Sequence, residues 1–423
     1  MSDRPIKVLS VCTSDSSGGA AHAAYRIHRA VRELGVDSRM FVKHKGTDDP
    51  TVLTVDDFIP HNAIYGAFDW VRNKVKNKLE HYRWGKYPDR QNYFMSDLRS
   101  TDIGHALQKI DYDILHLHWV NLRFLPLEQL PKDKPIVWTL HDSWPFCGVC
   151  HVPLDCQGYT KECGSCPMLR SSDPDDLSHE VWRKKKKILD NLDLHIVAPS
   201  HWMADNARKS SLLKDRDIQV IPNCIDTDLY SPGERIAACE HLHLNASKRH
   251  ILFGAMSATT DPNKGLSYLV EALSQLDDSL KKDVDLTVLG TDSPIADLIP
   301  GISTHSLGIL RDERDMVAAY RAADLTVVPS LSENLSCTIM ESLSCGTPVV
   351  AFNIGGNGDL IEHKRNGYLA KGNDPYDLAK GIIYSLGQPI DFKPQANARQ
   401  AILDYYTPKT ISNKYRELYD CLG

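Results

Sequence analysis

The chain has 423 residues, more than one ordinary hydrophobic core holds, and its length suits two domains of about 200 residues each. Its net charge of −6 gives no general case for a nucleic-acid partner. The sequence has no run of about 18 apolar residues, so no transmembrane helix is predicted. The residues Met1–Pro5 lack the apolar core of a signal peptide. We therefore expect reduced thiols and a location in the cytoplasm or at the inner face of a membrane.

Strands and helices are predicted to alternate along the first half of the chain. A buried strand at Ile6–Cys12 is followed by a tight loop at Ser16–Gly19 and by a helix at Ala20–Leu34, which Gly35 closes. Further strands are predicted at 114–118, 136–140 and 194–199. This alternation is typical of an α/β domain with a parallel sheet.

A second series of the same kind follows, with strands predicted at 251–254, 286–290, 323–330 and 348–352. Two successive doubly wound, Rossmann-like domains are the simplest account of the whole pattern. Pro232-Gly233 and a polar stretch interrupt it between about residues 222 and 245. We therefore assign residues 1–222 to the N-terminal domain and residues 223–403 to the C-terminal domain.

The segment Glu333–Glu341 holds two carboxylates eight positions apart. Ser336 is predicted to cap a short helix that ends near Gly346, so Glu333 precedes the helix and Glu341 lies in its second turn. Free N–H groups at a helix N-terminus bind anions. An anion site with a carboxylate on either side suits a nucleotide sugar, whose diphosphate and hydroxyls would meet these groups. Two solvated charges are the alternative interpretation, which the carboxylates alone would favour.

With its flanking strands and the following Gly355-Gly356, this block resembles the donor-binding signature of GT-B glycosyltransferases of the retaining family 4, the glycosyl transferases group 1. The resemblance implies two Rossmann-like domains that face each other across a cleft, the first for the acceptor and the second for the nucleotide sugar. It implies that Glu333 contacts the donor sugar and that Glu341 holds the ribose. It also implies that a helix at about 404–423 packs back onto the first domain. The donor-binding residues between the two carboxylates would be Asn334, Leu335, Ser336, Cys337 and Thr338.

The turn Asp261–Gly265 precedes a predicted helix. A lysine at such a helix start can pair with phosphate oxygens and stabilise a departing nucleoside diphosphate, whereas a surface lysine in a turn is the alternative. By resemblance, Lys264 matches the phosphate lysine of the family. The family often carries an arginine a few positions earlier, which Gly254-Ala255-Met256 lacks. Phosphate binding is therefore expected to depend more on Lys264 and on the helix that starts near Cys337.

Two features of the first domain are candidates for the same site. Gly18 and Gly19 open the first helix, where glycines let backbone N–H groups approach a ligand, although a simple turn is the alternative. No G-x-G-x-x-G is present, so the dinucleotide fingerprint is absent. His141 ends a strand, and ligand sites lie at the carboxyl ends of parallel strands. The family places a histidine here against the donor sugar, so His141 joins Lys264 and Glu333 as a catalytic candidate.

His116 and His118 end a neighbouring strand. A structural role with satisfied hydrogen bonds is the better interpretation for either, and the lining of an acceptor pocket is the alternative.

Five of the eleven cysteines lie between Cys147 and Cys166, in two C-x2-C pairs and one single position. In a cytosolic chain such pairs are typical of a tetrahedral zinc site rather than of disulfides. A similar loop without the first cysteine occurs in some members of the family. The resemblance therefore implies a structural zinc ion on Cys150, Cys156, Cys163 and Cys166, with Cys147 spare. Free thiols in a packed loop are an equal alternative.

Two basic, aromatic segments lie at Trp70–Lys78 and Trp182–Lys187. Solvated helix faces are the usual explanation, and peripheral contact with anionic lipid, worth about 1 kcal/mol per exposed base, is the alternative. Asp226-Thr227-Asp228 looks like the D-x-D metal motif of a different glycosyltransferase fold. We interpret it as a structural turn and expect no catalytic divalent metal.

These observations and the resemblance predict a retaining, hexosyltransferase-type glycosyltransferase. It would move a sugar from a UDP- or GDP-sugar to a sugar or lipid-linked glycan acceptor, in surface polysaccharide or glycoconjugate synthesis. No protein nucleophile is evident, so the resemblance implies same-face attack assisted by the departing phosphate. The alternative is a non-catalytic glycan-binding or scaffold subunit that kept the fold, for which the altered turn after Gly254 is the only support.

Overall fold

The computed structural model describes residues 4–58, 74, 78, 82–91, 103–254, 260–291, 298–387 and 394–423. By their internal contacts, the residues form two compact units, Met1–Ile221 with Ser412–Gly423, and Pro222–Ile411. Most of the basic segment 70–78, and the pair Ala255-Met256, lie outside the described residues. In the described part of the chain, no helix has the length and apolar character needed to cross a bilayer.

The first unit is built on a parallel sheet whose described strands have the order β3-β2-β1-β4-β5-β6-β7. Its strands are β1 (Lys7–Ser14), β2 (Asp37–His44), β3 (Val52–Thr54), β4 (Ile114–Leu117), β5 (Ile136–Thr139), β6 (Leu194–Ala198) and β7 (Ile218–Val220). Its helices are α1 (Gly19–Glu33), α2 (Gly104–Lys109), α3 (Leu177–Leu189) and α4 (His201–Lys209).

The second unit repeats this plan, and its described strands have the order β10-β9-β8-β11-β12-β13. They are β8 (Arg249–Gly254), β9 (Val284–Leu289), β10 (Ser303–Ser306), β11 (Leu325–Val328), β12 (Val349–Phe352) and β13 (Gly367–Ala370), all paired in parallel. The helices that follow in the chain are α5 (Arg235–His241), α6 (Leu266–Ser274), α7 (Asp278–Asp283), α8 (Glu313–Ala322), α9 (Cys337–Ser344), α10 (Asn357–Leu360), α11 (Pro375–Leu386), α12 (Pro394–Tyr405) and α13 (Pro408–Leu422). Counted within the unit, the strand order is 3-2-1-4-5-6, that of the Rossmann fold. The prediction of two Rossmann-like domains is confirmed.

The central strands are apolar because both of their faces are covered. Every residue of β4, β5, β11 and β12 is buried, which is typical of parallel strands between two layers of helices. Phe41, Trp138 and Phe146 lie in the core of the first unit, and Phe253 and Phe352 in that of the second. Burying a side chain of this size stabilises the fold by roughly 1.5–3 kcal/mol. The two cores therefore hold the strand ends that carry the candidate site residues.

The final helix, α13, is fixed to the sheet of the first unit by two buried tyrosines. The hydroxyl of Tyr419 lies 2.7 Å from Nδ1 of His116 on β4. The hydroxyl of Tyr415 lies 2.9 Å from Oγ1 of Thr139 on β5. Both tyrosine side chains are fully buried. Residues 412–423 therefore complete the packing of strands that precede them by about 280 to 300 positions.

Candidate active site

The two predicted carboxylates flank the first turns of α9. Ser336 caps the helix, its Oγ accepting from the N–H of Ile339 at 3.5 Å, and Gly346 follows the last turn with a φ of 83°. Glu333 lies in the loop before the cap, and Glu341 lies in the second turn. These local positions are the ones that the sequence predicts. The positive end of the helix dipole of α9 therefore lies between Glu333 and Glu341 in the sequence.

The five predicted donor-binding residues directly follow Glu333 in the stretch between the two carboxylates. Leu335 packs into the hydrophobic core and Ser336 caps the helix, so only their backbone groups remain to meet a ligand. Asn334, Cys337 and Thr338 are partly exposed. The structure thus divides the stretch into residues that shape the loop and residues that can contact a ligand.

Lys264 approaches this loop from the turn before α6. Asp261 caps that turn by accepting from the N–H of Asn263 at 2.9 Å. Nζ of Lys264 donates to Oε1 of Glu333 at 3.3 Å, and both side chains keep some exposure. Attraction by the Glu333 carboxylate raises the pKa of Lys264, so the ammonium is charged at neutral pH. The structure therefore brings together two of the three catalytic candidates.

Asn263, which the sequence analysis did not select, joins the two loops. Its backbone oxygen accepts from the N–H of Leu331 at 2.8 Å, and its Nδ2 donates to the backbone oxygen of Ser332 at 3.1 Å. The loop is also closely packed from the other side, because a Cβ on Gly355 would lie 1.7 Å from the backbone oxygen of Glu333. Only glycine fits there, where φ is +55°. These contacts fix the loop that carries Glu333, and of the residues that make them the sequence pattern points only to Gly355.

Glu341 is held by a residue of the neighbouring helix α8. The hydroxyl of Tyr320 donates to Oε2 of Glu341 at 2.9 Å, and both side chains are buried. Burial raises the pKa of Tyr320, and the negative charge of Glu341 raises it further, so the phenol stays protonated and remains a donor. One oxygen of the Glu341 carboxylate is therefore hydrogen-bonded within the protein itself. Sequence reasoning missed Tyr320 because the contact is tertiary.

The glycine pair of the first unit opens α1, as predicted. Gly18 has a φ of 89° and precedes Gly19, the first residue of the helix. The preceding Asp15 is buried, and its carboxylate accepts from the N–H of Gly46 and from Oγ1 of Thr47, each at 2.7 Å. Asp15 therefore joins the loop after β1 to the loop after β2. It is a further residue that shapes this end of the sheet and that the sequence analysis did not identify.

Three imidazoles lie at the carboxyl ends of β4 and β5. His116 bonds through Nδ1 to Tyr419 at 2.7 Å and through Nε2 to Thr139 at 2.8 Å, so its predicted structural role is confirmed. His118 instead bonds through Nδ1 to Nε2 of His141 at 3.0 Å. Burial lowers the pKa of His116 to about 3 and that of His141 to about 4, and it lowers the pKa of His118 as well. All three rings are therefore neutral at physiological pH.

The cysteine-rich loop brings all five of its cysteines to one small cavity. The cavity, of about 20 Å³, is lined by Cys147, Cys150, Cys156, Cys163 and Cys166. That volume is enough for one water-sized occupant. A hydrogen bond from the Cys147 thiol lowers the pKa of Cys150, whereas burial raises the pKa of Cys163 to about 12 and that of Cys166 to about 11. The loop contains no disulfide.

The fit of this loop to a zinc ion is partial. The N–H of Gly148 donates to Sγ of Cys163 at 3.3 Å, and the N–H of Gly158 donates to Sγ of Cys156 at 3.4 Å. Backbone N–H groups make such bonds around thiolates. However, no three or more His, Cys, Asp or Glu side chains in the described ranges are arranged to hold a metal ion. The four-thiolate zinc site therefore stays a prediction.

We expect that protein purified without added metal contains about one zinc per chain, because four thiolates satisfy a closed structural site. Cys156→Ser should then lower the zinc content measured by elemental analysis. Cys421→Ser, which alters an exposed cysteine far from the loop in sequence, is the matched control and should leave it unchanged. Zinc-free protein in which all five loop thiols titrate freely would favour the free-thiol interpretation.

The basic run on α3 is only partly a solvated face. Lys184 pairs with Glu128, and Lys186 pairs with Asp190 at 2.8 Å. Lys185 is 1% exposed. Its Nζ donates to the backbone oxygens of Trp144, Cys147 and Gly148, and it lies 3.6 Å from the centre of the Trp144 ring. The solvated-face interpretation is therefore wrong for Lys185, which instead anchors the start of the cysteine-rich loop.

The Asp226-Thr227-Asp228 segment closes a turn. Oδ1 of Asp226 accepts from the N–H of Asp228 at 3.2 Å and from the N–H of Leu229 at 3.1 Å. One oxygen of the Asp226 carboxylate therefore accepts hydrogen bonds from the backbone, as aspartate does in other turns of this type.

Comparison with known proteins decides the family. The model of Glycosyltransferase Family 4 matches residues 17–229, half of the chain, and the model of Glycosyl transferases group 1 matches residues 248–388. The chain belongs to glycosyltransferase family 4. The predicted family and the predicted enzyme class, a glycosyltransferase, are confirmed.

Two curated relatives of this family 4 chain show how far the similarity extends. A D-inositol 3-phosphate glycosyltransferase of Nocardiopsis dassonvillei is 34% identical over 206 residues, 46% of this chain and about half (48%) of the relative. WcaC of Escherichia coli, by name a colanic acid biosynthesis glycosyl transferase, is 27% identical over 323 residues, 74% of this chain and 76% of the relative.

The fold of this family 4 enzyme is shared with solved structures. The structure of Anabaena Alr3699/HepE in complex with UDP-glucose superposes with a TM-score of 0.62 at 17% identity, over 99% of this chain and 100% of that chain. At this identity the likeness shows the fold alone, and it agrees with the GT-B architecture predicted from the sequence.

Proposed function

We propose that this family 4 enzyme is a retaining hexosyltransferase that uses a UDP- or GDP-sugar as its donor. The observation that carries the proposal is the Lys264–Glu333 pair at 3.3 Å, located at the N-terminal end of α9. This arrangement supplies a fixed cation and backbone N–H groups where a diphosphate would bind. The structure of Alr3699/HepE with UDP-glucose supports a donor of this class.

In this proposal each side chain has a separate role. Lys264 stabilises the negative charge that grows on the departing nucleoside diphosphate, a contribution that is larger in the transition state than in the ground state. Glu333 accepts from hydroxyls of the donor sugar, and Glu341 accepts from the ribose. For His141, Gly18 and Gly19, which belong to the first unit, we propose contacts with the nucleotide sugar as well. Attack on the same face as the leaving group, assisted by the departing phosphate, gives retention.

The acceptor is proposed to be a sugar or a lipid-linked glycan bound mainly by the first unit, in the synthesis of a surface polysaccharide or glycoconjugate. The name of WcaC supports a polysaccharide, whereas that of the Nocardiopsis relative supports a small phosphorylated acceptor. Location in the cytoplasm, with peripheral membrane contact, belongs to the same proposal.

The experiment is a mass-spectrometric screen of purified protein against UDP- and GDP-sugars, beginning with UDP-glucose. We expect one donor to release free nucleotide slowly by hydrolysis, because Lys264 in its proposed role would stabilise the leaving group. The anomeric configuration of the transferred sugar, measured by NMR, should match that of the donor. A folded protein that binds the nucleotide but releases none from any donor, with or without glycan acceptors, would favour the scaffold alternative.

A further inference from the structure

His118 and His141 form a pair at the carboxyl edge of the first sheet. His118 directly follows β4, His141 lies two positions after β5, and the two strands are in parallel register at Leu117 and Trp138. Nδ1 of His118 lies 3.0 Å from Nε2 of His141, so one nitrogen donates and the other accepts. The rings are stacked, with centroids 5.3 Å apart and planes 28° apart.

The nearby His116 shows what a purely structural imidazole looks like in this sheet. Both of its nitrogens bond to hydroxyl groups. His118 is just as deeply buried, at 2% exposure, yet its Nε2 has no hydrogen-bond partner in the described part of the chain. A buried polar atom without a partner costs about 1–3 kcal/mol. Packing alone therefore does not account for an imidazole at this position, and its side-chain hydrogen bond is to the ring of His141.

Both members of the pair are attached to rigid backbone. The N–H of His118 donates to the backbone oxygen of Val11 at 2.9 Å, and its backbone oxygen accepts from Nε1 of Trp138 at 3.1 Å. Next to His141, the Asp142 carboxylate accepts from Nε1 of Trp119 at 2.6 Å. With the backbone fixed on both sides, the bond between the rings constrains how the half-buried ring of His141 is turned.

We propose that His118 is a positioning residue for His141. Its bond to Nε2 fixes the angle and the tautomer of the His141 ring, so that His141 meets its ligand through the opposite edge of the ring. A neutral imidazole carries one N–H and one bare nitrogen, so the proton position on either ring determines that on the other. The proposal rests on the proposed role of His141 in sugar transfer.

Three variants of the full chain test it. His118→Phe keeps a buried ring but removes the bond. His118→Asn keeps an amide that can donate or accept near the position of Nδ1. His116→Phe is the matched control, since it removes an equally buried imidazole whose two nitrogens bond to Tyr419 and Thr139. With the donor that gives turnover in the UDP- and GDP-sugar screen, His118→Phe should lower kcat about 10- to 100-fold and leave the donor KM within about twofold, because a misplaced contact group slows the chemical step. His118→Asn should restore most of the loss.

A second measurement does not depend on activity. In protein labelled with ¹⁵N-histidine, the imidazole signals of His141, assigned with His141→Gln, report its tautomer. We expect them to shift in His118→Phe and to stay in place in His116→Phe. Unchanged His141 signals in folded His118→Phe, or an equal loss of kcat in His118→Phe and His116→Phe, would overturn the proposal. Shifted signals in a protein that transfers no sugar would support the positioning role and contradict the proposed function instead.

Discussion

Replacing Lys264 by methionine is expected to lower the turnover number about 100- to 1,000-fold at saturating donor, the usual loss when one group that stabilises transition-state charge is removed. The ammonium is fixed 3.3 Å from Glu333 and is charged at neutral pH. Its attraction for a leaving diphosphate grows as the bond to the sugar breaks. The effect on kcat should therefore exceed the effect on acceptor KM.

Steady-state kinetics of nucleotide release would measure this loss. Lys380→Met, which alters an exposed lysine on α11, is the matched control and should retain full turnover. Equal turnover of Lys264→Met and the unmodified enzyme at saturating donor would remove Lys264 from the catalytic residues.

Replacing Glu341 by alanine should weaken nucleotide binding by about 1.5–3 kcal/mol, or about 10- to 150-fold in Kd, because a charge-assisted hydrogen bond is lost. Tyr320→Phe leaves the carboxylate in place but removes the 2.9 Å bond that orients it. We expect a smaller loss for this variant. The two substitutions together should weaken binding by less than the sum of their separate effects, because they act on one contact.

Isothermal calorimetry with UDP and GDP measures these affinities. Glu271→Gln, at an exposed position of α6, is the control for a change of charge in the same unit. An unchanged affinity in folded Glu341→Ala would show that the ribose is held elsewhere. Exactly additive losses would show that Tyr320 acts independently of Glu341.

Much of the local structure around the proposed donor site could be predicted from the sequence, because its signals are local. A serine cap, a glycine with positive φ after the last turn and apolar strands on either side are sufficient to define α9 and the positions of Glu333 and Glu341. Other elements gave weaker signals. The strand β2, Asp37–His44, was not predicted, because it mixes charged and apolar residues, and its place between β1 and β3 leaves no local signal.

The residues that fix the site could not be predicted, because their contacts join distant parts of the chain. Tyr320 meets Glu341 from another helix, and Asn263 holds a loop nearly 70 positions away. The satisfied structural role favoured for His118 is wrong, since one of its nitrogens is unsatisfied among the described residues. Lys185 stands in a run of basic residues that a helical pattern places in solvent, yet three backbone carbonyls surround it.

The attachment of α13 also has a consequence for the order in which the protein matures during translation. The strands β4 and β5 leave the ribosome long before Tyr415 and Tyr419, so the first unit cannot reach its final packing while the second unit is still being synthesised. Until then, His116 and Thr139 lack the phenol groups that bond to them in the finished protein. A nascent chain arrested near residue 400 should therefore have the strands of the first sheet but leave uncovered the apolar surface on which residues 412–423 pack, as folding intermediates of large proteins do.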